Sequence, residues 1–166
     1  MISPPRLTTA FEELPGDPKQ RHEALVDAFG EYIVWVRQQT LMRSRRLVES
    51  REAREELGRI FRDAYEEAST MSTEDRERSY RLVESGVDFF ARLFLTMVSG
   101  TGFDHPFGPK HAVRFRIEME ICDGNSGEVV EEETINRKGA KFFPDYWGRW
   151  LNRAKANPED AAPDVK

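Results

Sequence analysis

The stretch Val113-Arg114-Phe115-Arg116-Ile117-Glu118-Met119-Glu120-Ile121 alternates apolar and charged residues without a break. A period of two places every second side chain on one face, so the segment reads as a half-buried β-strand. Asp123-Gly124-Asn125-Ser126-Gly127 follows as a turn cluster, and Glu128 to Asn136 returns as the second strand of a hairpin. Pairing symmetric about Asn125 faces Ile121 with Val129 and Phe115 with Ile135. A one-residue slip faces Glu120 with Glu131 and Glu118 with Glu133. Either choice leaves carboxylates in unfavourable company, which a β-bulge, Arg114 and Arg116, or a divalent cation would relieve.

Upstream of the hairpin the period is 3.6. Between Pro18 and Ser69 there is no further proline, and Leu25, Phe29, Ile33 and Val36 recur at helical spacing. Leu57, Ile60, Phe61, Ala64, Tyr65 and Ala68 repeat that pattern. A single helix across this segment would be about 75 Å long, against about 40 Å for a compact globule of this size. A break is therefore expected between Arg43 and Ser50. Ser72-Thr73-Glu74-Asp75 resembles a capping box and opens another helix. Its later turns, with Val87, Phe90, Leu93, Phe94, Met97 and Val98, are apolar nearly all round, as in a central helix. Pro144-Asp145 opens a last helix through Trp147, Trp150 and Leu151.

Helices first and strands later make an α+β fold. The expected architecture is a helical bundle over 18–98, a hairpin over 112–136, and a helix over 144–156 packed on the hairpin. The 166 residues suit one domain. Residues 1–17, with Pro4, Pro5, Pro15 and Gly16, read as a surface arm and not as a secretory leader, and 157–166 read as an acidic flexible tail.

The net charge of −5 argues against general affinity for nucleic acid or anionic membrane. The longest apolar run, Tyr32 to Val36, is far short of the ~20 residues that span a bilayer. Cys122 is the only cysteine, so no intramolecular disulfide and no thiolate zinc cluster form, and a reducing, cytoplasmic setting is expected. No nucleophile elbow, phosphate-binding loop, zinc-protease helix motif or calcium loop occurs. No cofactor and no metal are expected.

Three regions could carry function. In Phe142-Phe143-Pro144-Asp145-Tyr146-Trp147-Gly148-Arg149-Trp150, five of eighteen aromatics fall in nine residues. Tyr146, Trp147, Arg149 and Trp150 are residue types used by binding hot spots, although rings there can also seal the open face of a small sheet. The leading expectation is therefore a non-catalytic module that binds another protein, as a regulator or accessory subunit, with self-association left open. The second region spans about 104–120. Asp104, His105 and His111 lie near glycines, and with Glu118 or Glu120 they could form the acid–base site of a small hydrolase. The third is Arg43, Arg45 and Arg46, a local basic excess that could track a phosphate backbone. Flanking i,i+4 pairs such as Arg51/Glu55 and Arg62/Glu66 instead resemble an ordinary solvated face.

Overall fold

The computed structural model describes residues 15–99, 105–106, 110, 112–137 and 140–156. The element order is α1 (Pro18–Glu49), α2 (Arg51–Glu55), α3 (Arg59–Ser69), α4 (Thr73–Val98), β1 (His105–Pro106), β2 (Ala112–Val113), β3 (Glu118–Cys122), β4 (Val129–Thr134) and α5 (Pro144–Ala156). The fold is α+β: a long helical region, an antiparallel hairpin and a short C-terminal helix. Residues 1–34 with 91–166 make one compact unit, and residues 35–90 a second. Of the arm expected over 1–17, residues 1–14 lie outside the described residues, as do the tail over 157–166, Asp104 and His111.

Local chemistry sets the helix ends. Asp17 accepts the Lys19 amide at 3.0 Å, with Pro18 at the first helical position. The break in the long helical segment falls at Ser50. Its hydroxyl accepts the Ala53 amide at 3.2 Å and caps α2. Arg54 then reaches back to the carbonyls of Leu47 and Val48, at 2.9 and 2.7 Å, and satisfies the open end of α1. Arg62 does the same for the carbonyls of Glu55 and Leu57. At α4, Ser72 accepts the Asp75 amide at 3.1 Å and donates to its carboxylate at 2.7 Å.

The first unit holds a continuous core of Leu25, Val26, Val34, Ala91, Leu95, Val98, Ile135, Phe143, Tyr146, Trp147 and Trp150. Ile117, Met119 and Ile121 of the hairpin side pack against it. The C-terminal helix reaches this core through α1 as well as through the shared cluster. Phe29 and Trp150 meet edge to face at 6.4 Å, and Gly30 leaves room for the Trp150 indole. A Cβ at position 30 would lie 2.0 Å from that ring.

Beside its turn the hairpin pairs in the one-residue slip, and beyond a bulge it follows neither expected register. The pairs are Glu118↔Thr134, Met119↔Glu133, Glu120↔Glu132 and Ile121↔Glu131, then Cys122↔Val129 after a bulge at Ile121/Cys122. Val130 is the extra residue. Cys122↔Val129 is already one residue beyond the symmetric pairing, and the bulge adds the second, a total shift of two that keeps the apolar face inward. The turn is tied by Asp123, whose carboxylate accepts the amides of Ser126 and Asn125 at 2.7 and 2.9 Å. Those backbone amides hold its carboxyl below the usual aspartate range. Gly127 closes the turn at φ 71°, in the left-handed region.

The alternating stretch does not form one continuous strand. Ala112 and Val113 pair with Pro106 and His105 in a separate two-stranded sheet. Between the two pairings, Asn136 replaces the ladder with its side chain. Its Oδ1 accepts the Ile117 amide at 2.8 Å, and its Nδ2 donates to the carbonyls of Phe115, at 3.0 Å, and Val98. Ser99 is fully buried beside this point, donating to the Leu95 carbonyl and accepting the Phe143 amide at 3.1 Å.

The second unit has a small core. Leu47, Val48, Ala53 and Tyr80 are its buried hydrophobic residues among those described. Arg37 joins α1 to α4 through Asp88 at 2.5 Å and Glu84 at 2.7 Å. The Tyr80 hydroxyl donates to Glu49 at 3.4 Å, and the Arg45 guanidinium lies 4.6 Å from the centre of the Tyr80 ring.

Candidate interaction surface

The C-terminal aromatics, read from sequence as contact residues, are core. Tyr146 and Trp147 are each 5% exposed and Trp150 is 1% exposed. Tyr146 and Trp150 stack at 5.6 Å, and Phe143 lies 6.5 Å from Trp150. The physical reason is the α1 face opposite them, where Glu23, Asp27, Gly30 and Val34 recur at spacings of four, three and four. Asp27 is buried and accepts from the Trp150 indole at 3.0 Å, from Arg153 at 2.8 Å and from Arg149. Arg149 also lies over the Tyr146 ring at 4.5 Å, so its charge is used inside the unit. Trp147 and Trp150 therefore cannot meet a partner without opening the monomer.

Burial, then the Glu23 carboxylate 3.3 Å away, pushes the Tyr146 phenol up to about 12. The fold thus favours the neutral phenol. This stabilisation is complete below the unfolded value of about 10 and is lost as pH rises from there through about 12. Tyr146→Phe is expected to remove part of the alkaline loss of stability between pH 10 and 12, leaving the smaller share of Tyr80, which burial also raises. Tyrosinate absorbance and urea unfolding across that range are the measurements. An unchanged pH profile in the variant would refute the assignment.

The hairpin carboxylates divide by face. Glu118 and Glu120, proposed for acid–base work, are exposed, and Glu120 faces Glu132 directly. Glu131 and Glu133 instead turn towards α1. Arg21 meets Glu131 at 3.3 Å, and buried His22 lies 2.5 Å from Glu133, which Arg137 also reaches at 3.3 Å. The inward half of the acidic cluster is thus engaged by side chains, and His22, an isolated residue in the sequence, is one of them. Among the described residues no group of three potential metal ligands forms. His105 sits in β1, while Asp104 and His111 fall outside the described residues, so no convergence with Glu118 is shown.

The arginine cluster separates similarly. Arg45 is engaged by Tyr80 and by Glu77 at 3.6 Å. Arg51 and Glu55 pair at 3.4 Å as their spacing suggests, whereas Arg62 is drawn to carbonyls instead of Glu66. Arg43 and Arg46 are exposed and meet no carboxylate among the described residues.

What the sequence did not single out is the outer side of α4. A helix that is apolar nearly all round was expected to be central. Instead only part of it is covered. Ala91, Leu95 and Val98 join the core of the first unit, while Leu93 there is half exposed. Within the second unit, Leu82 is 75% exposed and Phe89 66%. At about 100° per residue, these two fall within about 20° of each other, on the side of α4 opposite Tyr80. Val83 and Phe90 are exposed beside them. Val36, Met42 and Phe61 are exposed elsewhere in the same unit. Among the described residues of this unit, more large apolar side chains are thus exposed than buried. Apolar residues on all sides of a helix fit either a buried helix or one with a second surface to cover, and the periodicity does not distinguish them. No described helix is long and apolar enough to cross a membrane. Comparison with protein-family models, with curated proteins and with solved structures found no match.

Proposed function

We propose that the protein is a non-catalytic module that acts by binding another protein, and that the helical unit 35–90 carries the docking surface, with Leu82 and Phe89 at its centre. The exposure of these two residues on one side of α4 is the observation that supports this reading. Covering a leucine or phenylalanine side chain contributes about 1.5–3 kcal/mol, so the pair is a substantial source of affinity. Clustered exposed apolar residues mark interaction surfaces, whereas scattered ones need no explanation. The C-terminal aromatics contribute by holding the first unit together.

The test is site-specific photo-crosslinking in cells, with a benzophenone side chain at position 82, at 89, or at exposed position 51 as control. Positions 82 and 89 are expected to give a discrete adduct with another polypeptide that position 51 does not. The double variant Leu82→Ser/Phe89→Ser is expected to lose the partner, while its unfolding free energy stays within about 1 kcal/mol of the parent. Absence of any adduct above control at both positions would reject the proposal.

A further inference from the structure

Taking 35–90 as the docking unit, we infer that its α1/α3 groove receives an acidic amphipathic helix from the partner protein, with the partner's apolar ridge in the groove and its carboxylates on Arg43 and Arg46. The groove encloses about 250 Å³ and is lined by Thr40, Arg43, Leu47, Leu57, Phe61 and Tyr65. Its α1 wall carries Thr40, Arg43 and Leu47 at i, i+3 and i+7, and its other wall joins Phe61 and Tyr65, at i and i+4 on α3, to Leu57 in the bend before that helix. Two such walls form the kind of trough into which a ridge of i, i+3/i+4, i+7 side chains fits. Phe61 is 66% exposed at its edge, and Leu47 is buried at its base.

Charge selects the occupant. Arg43 lines the groove and Arg46 follows it by one helical turn, near the end of α1. No carboxylate lines the groove among the described residues, and Glu49, Glu55 and Glu77 are engaged by Tyr80, Arg51 and Arg45, while Glu66 on α3 is left without Arg62. Two cations spaced three apart on one helix match two carboxylates spaced three or four apart on another. A nucleic acid fits less well, because apolar walls with two cations offer neither a run of phosphate contacts nor an array of stacking rings.

The experiment is selection of a displayed library of helical peptides against the full chain, followed by affinity measurement with the selected peptides. Enriched peptides are expected to carry apolar residues at i, i+3/i+4 and i+7 with flanking Asp or Glu. Phe61→Ala should weaken them about 30-fold and Arg43→Glu about tenfold. A lysine-substituted peptide should regain binding to Arg43→Glu. Leu82→Ser/Phe89→Ser should leave their affinity unchanged. Peptides that lack acidic residues, or that bind Phe61→Ala and Arg43→Glu like the parent, overturn the inference. If those peptides lose affinity on Leu82→Ser/Phe89→Ser, the reading of α4 survives while the groove falls. Failure to enrich any peptide also overturns it. So does a homodimer, seen by sedimentation, that Phe61→Ala dissociates, or an RNA or DNA oligonucleotide whose retention Arg43→Glu abolishes.

Discussion

Gly30→Ala is expected to destabilise the first unit by about 3 kcal/mol, the upper part of the range for overpacking a core. The added methyl would lie 2.0–2.5 Å from three atoms of the Trp150 indole. That ring has little freedom to yield. It is 1% exposed, stacked on Tyr146 and tied to Asp27 through its Nε1 at 3.0 Å. An aromatic plane so held moves only if α5 moves with it. The midpoint of thermal unfolding should fall by about 10 °C. The diagnostic comparison uses a second substitution. Trp150→Leu alone removes ring packing and an indole hydrogen bond, and is itself costly. In the Gly30→Ala background it also removes the clash, so the two effects should fall short of additive by about 1.5 kcal/mol or more. Strict additivity, or a melting temperature for Gly30→Ala equal to that of the parent, would show that Trp150 does not lie across Gly30.

The second large effect belongs to Asp27. Its carboxylate takes three donors from α5 while only 10% of its side chain remains exposed. Removal strands the indole N–H in the core, which costs about 1–3 kcal/mol, and leaves two guanidinium groups without their counter-charge. Those groups are about 40% exposed and regain water, so the ionic share is the smaller one. Asp27→Ala is expected to cost about 3 kcal/mol in total, and Asp27→Asn about half of that, because the amide oxygen still accepts the indole proton. Urea unfolding followed by tryptophan emission distinguishes them. Equal losses for the two variants would mean that charge alone, not the indole bond, sets the value of this residue.

The sequence was informative where a periodic pattern meets one partner. Alternation around Ile117, Met119 and Ile121 placed the hairpin, because that apolar face has a core to meet. Capping at Ser72 and the proline at 144 placed two helix starts. The break at Ser50 falls at the end of the expected window. Register was not legible, because it depends on the bulge at Val130 and on Asn136, whose amide takes over from the ladder. Neither has a periodic signature. The α1 face that receives α5 was also missed, since Glu23, Asp27 and Gly30 do not look like core. Only the pairing of a carboxylate with two arginines and an indole, more than one hundred residues later, makes them so. The aromatic segment was noticed for the right composition, but composition alone does not tell a sealed ring from a displayed one. On α4, Leu82 and Phe89 were not singled out, because their outward orientation depends on what the other elements leave uncovered.

The chain leaves the first unit after Val34 and re-enters it at Ala91. Among the described residues of this core, every apolar residue that joins Leu25, Val26 and Val34 from outside α1 is therefore translated only after the whole of 35–90 has been made. During synthesis the first half of that core waits, incomplete, while the intervening helices emerge and can already organise themselves. For evolution the same arrangement is permissive. Lengthening the excursion adds only about 0.6 kcal/mol of closure entropy per doubling, so the α2–α3 region can be extended or remodelled while the segments that frame it stay fixed.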